Sequence, residues 1–155
     1  PRMQRVLIGV DDTDTPEQGA TWTLVHNIAK AVEDEHTVYL SHTIVQLFPV
    51  PYRTKNCVGL VAEFATTDPE GMIVRFHQLL ERYTLSKKTG MAVYTGFTPS
   101  RDLLAFGWQV KKGEINPGLL ENLRDPNLRI IMDGRGSVGA VAALPFYTNY
   151  TEALE

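Results

Sequence analysis

Three carboxylates stand within four residues, Asp11, Asp12 and Asp14, with Thr13 among them. They follow directly on the apolar run Val6-Leu7-Ile8-Gly9-Val10. Like charges at this density repel one another and call for a counter-charge. Oxygen donors of this kind suit a hard cation such as Mg2+, which commonly joins carboxylates to substrate phosphates. Ligands of open α/β sheets bind beyond the carboxyl ends of the strands, which is where these acids fall. The ligand spacing and terminal glutamate of an EF-hand are missing. The plain alternative is a solvated acidic turn in which Asp11 or Asp14 caps a neighbouring backbone group.

Three other stretches offer contacts to an anion. Gly19-Ala20-Thr21-Trp22-Thr23 opens a helix, and small residues with hydroxyls at a helix N-terminus can receive a phosphate. The alternative is an ordinary cap by Thr21 or Thr23. Tyr52-Arg53-Thr54-Lys55-Asn56 is a cationic loop able to clamp an anion, or simply a basic surface loop. Gly134-Arg135-Gly136-Ser137-Val138-Gly139 has the G-x-G-x-x-G spacing between a strand and a helix. Too little chain follows it for the second strand and distant acid of a dinucleotide-binding domain. It reads instead as a phosphate cradle formed by Gly134, Arg135 and Gly136, or as close helix-to-sheet packing. His26, His36, His42 and His77 lack metal-ligand spacing, and His42, on a strand, reads as a satisfied core histidine. Cys57 reads as a buried thiol.

These groups need a scaffold, and the periodicity supplies one. Val6–Val10 suits a central strand covered on both faces. Val25, Ile28, Ala29 and Val32 make one stripe of a helix over Thr21–Val32. Strands are expected at Val38–Phe48, Val58–Ala65, Met91–Tyr94 and Leu128–Met132. Asp68-Pro69 starts a helix whose buried stripe is Ile73, Phe76, Leu80 and Tyr83. Ser100 caps another through Lys112, a short helix lies between turns at Asn116 and Asp125, and Ser137–Leu144 is a small-residue helix. Lys87–Gly90 is a basic turn. Strands alternating with helices give an α/β fold: one domain over residues 1–155, a mixed sheet with helices on both faces. Glu33-Asp34-Glu35 is unexpected, because it sets acid at the negative pole of a helix.

Composition narrows the function classes. The 155 residues are 43% apolar and 21% charged, which suits a folded soluble domain and excludes disorder. The formal net charge of -3 argues against capture of nucleic acid by this chain alone. One cysteine excludes a disulfide framework and a cysteine zinc site, so a reducing, cytoplasmic setting is expected. No apolar run is long enough for a membrane span. Pro1 is not an initiator, which suggests processing or a longer parent chain.

The segment from Ile8 through Asp11-Asp12-Thr13-Asp14 to Thr21 resembles the opening of the archaeal agmatinylcytidine synthetases, which act on an isoleucine tRNA. Pro51–Lys55 and Gly136–Ala143 resemble two further segments of that family, in the same order. The resemblance implies a kinase-like domain that binds ATP and Mg2+ and activates the C2 carbonyl of a tRNA cytidine before agmatine attacks. It places Asp11, Asp12 and Asp14 on metal, and Arg53 and Lys55 on phosphates. It also puts Thr21 where the family carries a phosphorylated threonine. The chain departs from that pattern at Asn56-Cys57-Val58, at Gln46 and at Trp22. Those positions, within Gly19–Leu24, Leu40–Leu47 and Lys55–Val58, are similar to the C-terminal half of the methanogenesis marker protein 11 family. That family's biochemical role is open, and the similarity implies a second, N-terminal half or subunit.

The expectation is an ATP/Mg2+-binding domain for phosphoryl transfer or ATP-dependent activation of a small molecule. Asp12 and Thr21 are the candidate catalytic residues. Thr13, Gly19, Thr21, Arg53, Lys55, Gly134, Arg135 and Gly136 are the candidate nucleotide contacts. The rival readings are a non-catalytic partner domain and a tRNA-modification subunit.

Overall fold

The computed structural model describes residues 2–13, 21–47, 58–96, 98–113 and 118–148. Along them run β1 (Gln4–Asp11), α1 (Thr21–Ala31), β2 (Thr37–Gln46), β3 (Val58–Thr66), α2 (Pro69–Tyr83), β4 (Gly90–Thr95), α3 (Arg101–Lys111), β5 (Leu128–Asp133) and α4 (Ser137–Ala143). α4 continues into a 3-10 turn at Leu144–Phe146.

The strands form one sheet in the order β2-β3-β1-β4-β5. The apolar run of β1 is explained by its place in the middle. Val6, Ile8 and Val10 face α1 and α2, meeting Val25, Ile28, Met72 and Phe76. Leu7 faces the other way, with Leu103 and Phe106 of α3 and the alanines of α4. Helices therefore cover both faces, as expected of the α/β domain. The sheet, read as mixed, is antiparallel in every ladder. The crossovers β1-α1-β2 and β3-α2-β4 do join parallel strands, but each leaves a gap of one strand. β3 fills the first gap and β1 fills the second, each running the opposite way, as in split βαβ units.

Local chemistry sets the element ends. The Asp68 carboxylate accepts from the Gly71 amide, with Pro69 in the first turn of α2. The Ser100 hydroxyl accepts from the Leu103 amide at the start of α3. The acids after α1 have partners that explain them. Glu33 accepts from the Tyr39 amide, and Asp34 accepts from the His36 amide and pairs with Arg75 of α2 at 3.1 Å. They launch β2 and tie it to α2.

Two expectations are corrected. Tyr83 does not join the buried stripe of α2; it is 51% exposed, with the Arg82 guanidinium over its ring. The short helix before Asp125 is absent: residues 118–122 are turns. Among the described residues no helix is long and apolar enough to cross a membrane.

One glycine sets how closely α4 approaches the sheet. A Cβ on Gly9 would lie 2.0 Å from the Ala140 carbonyl oxygen, so α4 rests directly on β1. This contact lets α4 begin beside the acids that end β1.

Candidate functional site

β1 ends, β4 begins and β5 ends at one end of the sheet. Asp11 pairs with Gly90, and Gly90 pairs with Asp133. The register thus gathers the acidic loop, the 84–89 turn and the glycine turn after β5, although they are far apart in sequence.

Asp11 is buried, its Oδ1 accepting from the Asp12 amide at 2.7 Å. Its other oxygen lies against α4, where a Cβ on Gly139 would sit 2.0 Å from Asp11 Oδ2. Asp12 has φ of 63°, a left-handed backbone that is uncommon outside glycine, asparagine and aspartate. This conformation turns the chain sharply as it leaves the strand. Asp12 Oδ2 lies 3.6 Å from the Arg135 guanidinium, and Ser86 Oγ stands 3.4 Å from Oδ1. Thr89 Oγ1 donates to the Asp12 carbonyl at 2.8 Å. The Thr13 carbonyl accepts from the Leu85 amide at 2.8 Å, and Thr13 Oγ1 donates to Thr21 Oγ1 at 2.8 Å. Thr21 is the first residue of α1, and its hydroxyl is buried.

The structure thus brings together six of the sequence candidates, Asp11, Asp12, Thr13, Thr21, Arg135 and Gly136, with Gly134 in the adjoining turn. It also adds Thr84, Ser86 and Thr89, which no sequence motif marks. Thr84 and Thr89 share a hydroxyl–hydroxyl hydrogen bond of 2.6 Å, and the Ser86 hydroxyl accepts from the Lys88 amide at 3.0 Å. Their only signal in the sequence is the density of hydroxyls from Thr84 to Thr89, overshadowed by Lys87 and Lys88.

In the glycine turn, packing accounts for the small residues. The Gly136 amide donates to the Lys88 carbonyl at 2.7 Å, and the Ser137 amide to the Gly134 carbonyl at 2.8 Å. A Cβ on Gly134 would meet the Lys88 carbonyl at 2.5 Å, and one on Gly136 would meet the Asp11 carbonyl at 2.6 Å. Arg135 is the charged group of this turn that faces the acids.

Asp14, Gly19, Arg53 and Lys55 lie outside the described residues, as does Cys57. The strand residues flanking the basic loop, Gln46 and Val58, pair with each other at the same end of the sheet. Among the described residues, no three histidine, cysteine, aspartate or glutamate side chains are grouped to hold a metal ion. Asp11 and Asp12 offer oxygen donors, with hydroxyls and a guanidinium around them. That donor set fits a hard cation with a phosphate better than a soft metal.

The TiaS TCKD domain family matches residues 7–74, which include the acids and Thr21. An uncharacterized protein of Methanocaldococcus jannaschii is 44% identical over 152 residues, covering 93% of this chain and 50% of that protein. TiaS of Methanopyrus kandleri, named as a 2-agmatinylcytidine synthetase of an isoleucine tRNA, is 29% identical over 145 residues, covering 90% of this chain and 33% of that one. The chain thus spans half or less of the curated relatives it matches. Among solved structures, a complex of TiaS with that tRNA and ATP superposes with a TM-score of 0.77 at 20% identity, over 94% of this chain and 37% of that one. A complex of TiaS with the tRNA, AMPCPP and agmatine does so with a TM-score of 0.63 at 17% identity, over 91% of this chain and 36% of that one. The two structural likenesses speak to the fold.

Proposed function

We propose that this chain is an ATP- and Mg2+-binding domain serving ATP-dependent chemistry connected with tRNA. One observation carries the reading: Asp11, Asp12, Thr13, Thr21 and Arg135 converge at one end of the sheet, inside or beside the stretch matched by the TiaS TCKD domain. The relatives named for tRNA and ATP support the direction.

Asp11 and Asp12, with Asp14, would hold Mg2+, which when bound neutralises phosphate charge. Arg135, with Arg53 and Lys55, would meet phosphate oxygens. Thr21, whose hydroxyl accepts from Thr13, would supply a hydroxyl at the start of α1 beside the phosphates. Phosphoryl transfer and oxygen activation need chiefly positioning and charge around the phosphates, so this small set suffices. Calorimetric titration of ATP with Mg2+, then with EDTA, beside Asp12→Asn, tests it. Magnesium-dependent binding lost in the variant is expected; binding unchanged by both EDTA and the substitution would overturn the assignment.

The tRNA connection is a separate arm. The sequence argued against capture of nucleic acid by this chain alone, whereas the relatives' names point to tRNA. An RNA-binding domain would bind tRNA with an affinity that falls steeply as salt rises. A domain needing the rest of a longer protein would bind ATP and leave tRNA free.

A further inference from the structure

Away from the acidic end, His26 of α1 and Tyr39 and His42 of β2 form a cluster that the nucleotide reading does not use. Both imidazoles turn Nδ1 to one phenol oxygen. Tyr39 Oη lies 3.0 Å from His26 Nδ1 and 2.6 Å from His42 Nδ1. All three residues are half-buried, so the cluster is partly open to solvent. A register irregularity between Tyr39 and Ser41 puts Tyr39 and His42 on the same face of β2, opposite Phe64 and Ala62.

We infer that His26, Tyr39 and His42 form a binding site for a borderline divalent cation such as Zn2+, with the two Nδ1 atoms and the phenol oxygen as donors. Three distances support it. Two imidazoles on a tetrahedral ion, at Zn–N bonds of roughly 2.0–2.1 Å, hold their ring centroids about 5 Å apart. The His26 and His42 centroids are 5.3 Å apart. A phenol on the same ion sits about 6 Å, centroid to centroid, from each imidazole. Tyr39 lies 5.7 Å from His26 and 6.3 Å from His42. The donor atoms of a tetrahedral shell are about 3.3 Å apart, so the phenol must withdraw by about 0.3 Å from His26 Nδ1 and about 0.7 Å from His42 Nδ1. Imidazole must be neutral to ligate. The phenol must give up its proton to ligate, so binding of the ion releases a proton to solvent. Solvent supplies the remaining position. The ion would clamp α1, whose first residue is Thr21, onto the edge strand β2.

Zn2+ is titrated into the 155-residue chain by calorimetry, with Mg2+ in excess to occupy oxygen sites. One Zn2+ per chain is expected. His26→Gln and His42→Gln should each weaken it at least tenfold, while His77→Gln on α2 leaves it unchanged. Nitrogen NMR of the unaltered protein gives a readout free of any folding defect: Zn2+ should shift Nδ1 of His26 and His42 and leave His36 and His77 in place. No binding, binding that survives both histidine substitutions, or shifts confined to other histidines would each overturn the inference.

Discussion

Thr13 and Thr21 hold each other through a hydroxyl–hydroxyl hydrogen bond of 2.8 Å, with both side chains buried. The bond fixes the exit of β1 to the first residue of α1. Thr21→Val keeps the shape but strands the Thr13 hydroxyl without its acceptor. A buried polar group left unsatisfied costs about 1–3 kcal/mol. Urea unfolding should show a lower midpoint with an unchanged slope, and Thr21→Ser should restore most of the loss.

Asp12 separates stability from binding. Its φ of 63° disfavours most side chains, by roughly 1–2 kcal/mol for a residue held in the left-handed region. Asp12→Gly should be as stable as the parent, or more so by up to about 1 kcal/mol, while losing magnesium-dependent ATP binding. Asp12→Asn tolerates the same backbone and should keep the melting temperature yet lose binding. A glycine variant that melts well below the parent would show that the carboxylate's contacts, and not its backbone, decide stability here.

Two glycines where α4 meets β1 should fail in different ways. At Gly9 a Cβ meets backbone, the Ala140 carbonyl, so Gly9→Ala must push α4 off the sheet. Overpacking of this kind typically costs about 1–3 kcal/mol or more. At Gly139 the nearest atom is the end of the Asp11 side chain, which can swing away. Gly139→Ala should therefore fold with a small loss but move the Asp11 carboxylate and weaken ATP binding with Mg2+. Equal losses of stability in the two variants would contradict this division.

His42 sets a pH dependence. Burial and His26 lower its pKa from the ordinary 6.5. The folded protein thus binds this proton more weakly than the unfolded chain. The contribution to stability is complete above pH 6.5 and is lost as pH falls below 6.5 through the lower folded value. Thermal melts should show a decline on acidification below that point, and His42→Gln should flatten it.

Much of the fold was legible because its signals are local. Asp68-Pro69 and Ser100 cap the helices they were expected to cap, and Val25, Ile28 and Ala29 lie buried in one stripe. What local signals could not give is which strands are neighbours. Nothing near β1 announces that it pairs with β3 and β4 and not with β2. The same non-local pairing hid half of the site. Asp11 and Asp12 were visible as a charge cluster, but Thr84, Ser86 and Thr89 acquire meaning only because β4 lies beside β1. Tyr83 was misplaced for a simpler reason. Its spacing continues the α2 stripe, but it is the last residue of α2, and there it is exposed to solvent.

The strand order also governs when the acidic end can come into being. Asp11 and Asp12 leave the ribosome well before Thr89 and Arg135, which contact Asp12. Pairing distant segments makes folding slower than closing nearby ones, and domains generally fold as units during synthesis. A nascent chain halted before Gly134 would carry its carboxylates on a strand whose neighbours have formed but whose cover of alanines has not. The acids are thus made early and find their surroundings late, and the acidic end is complete only once α4 has been synthesised.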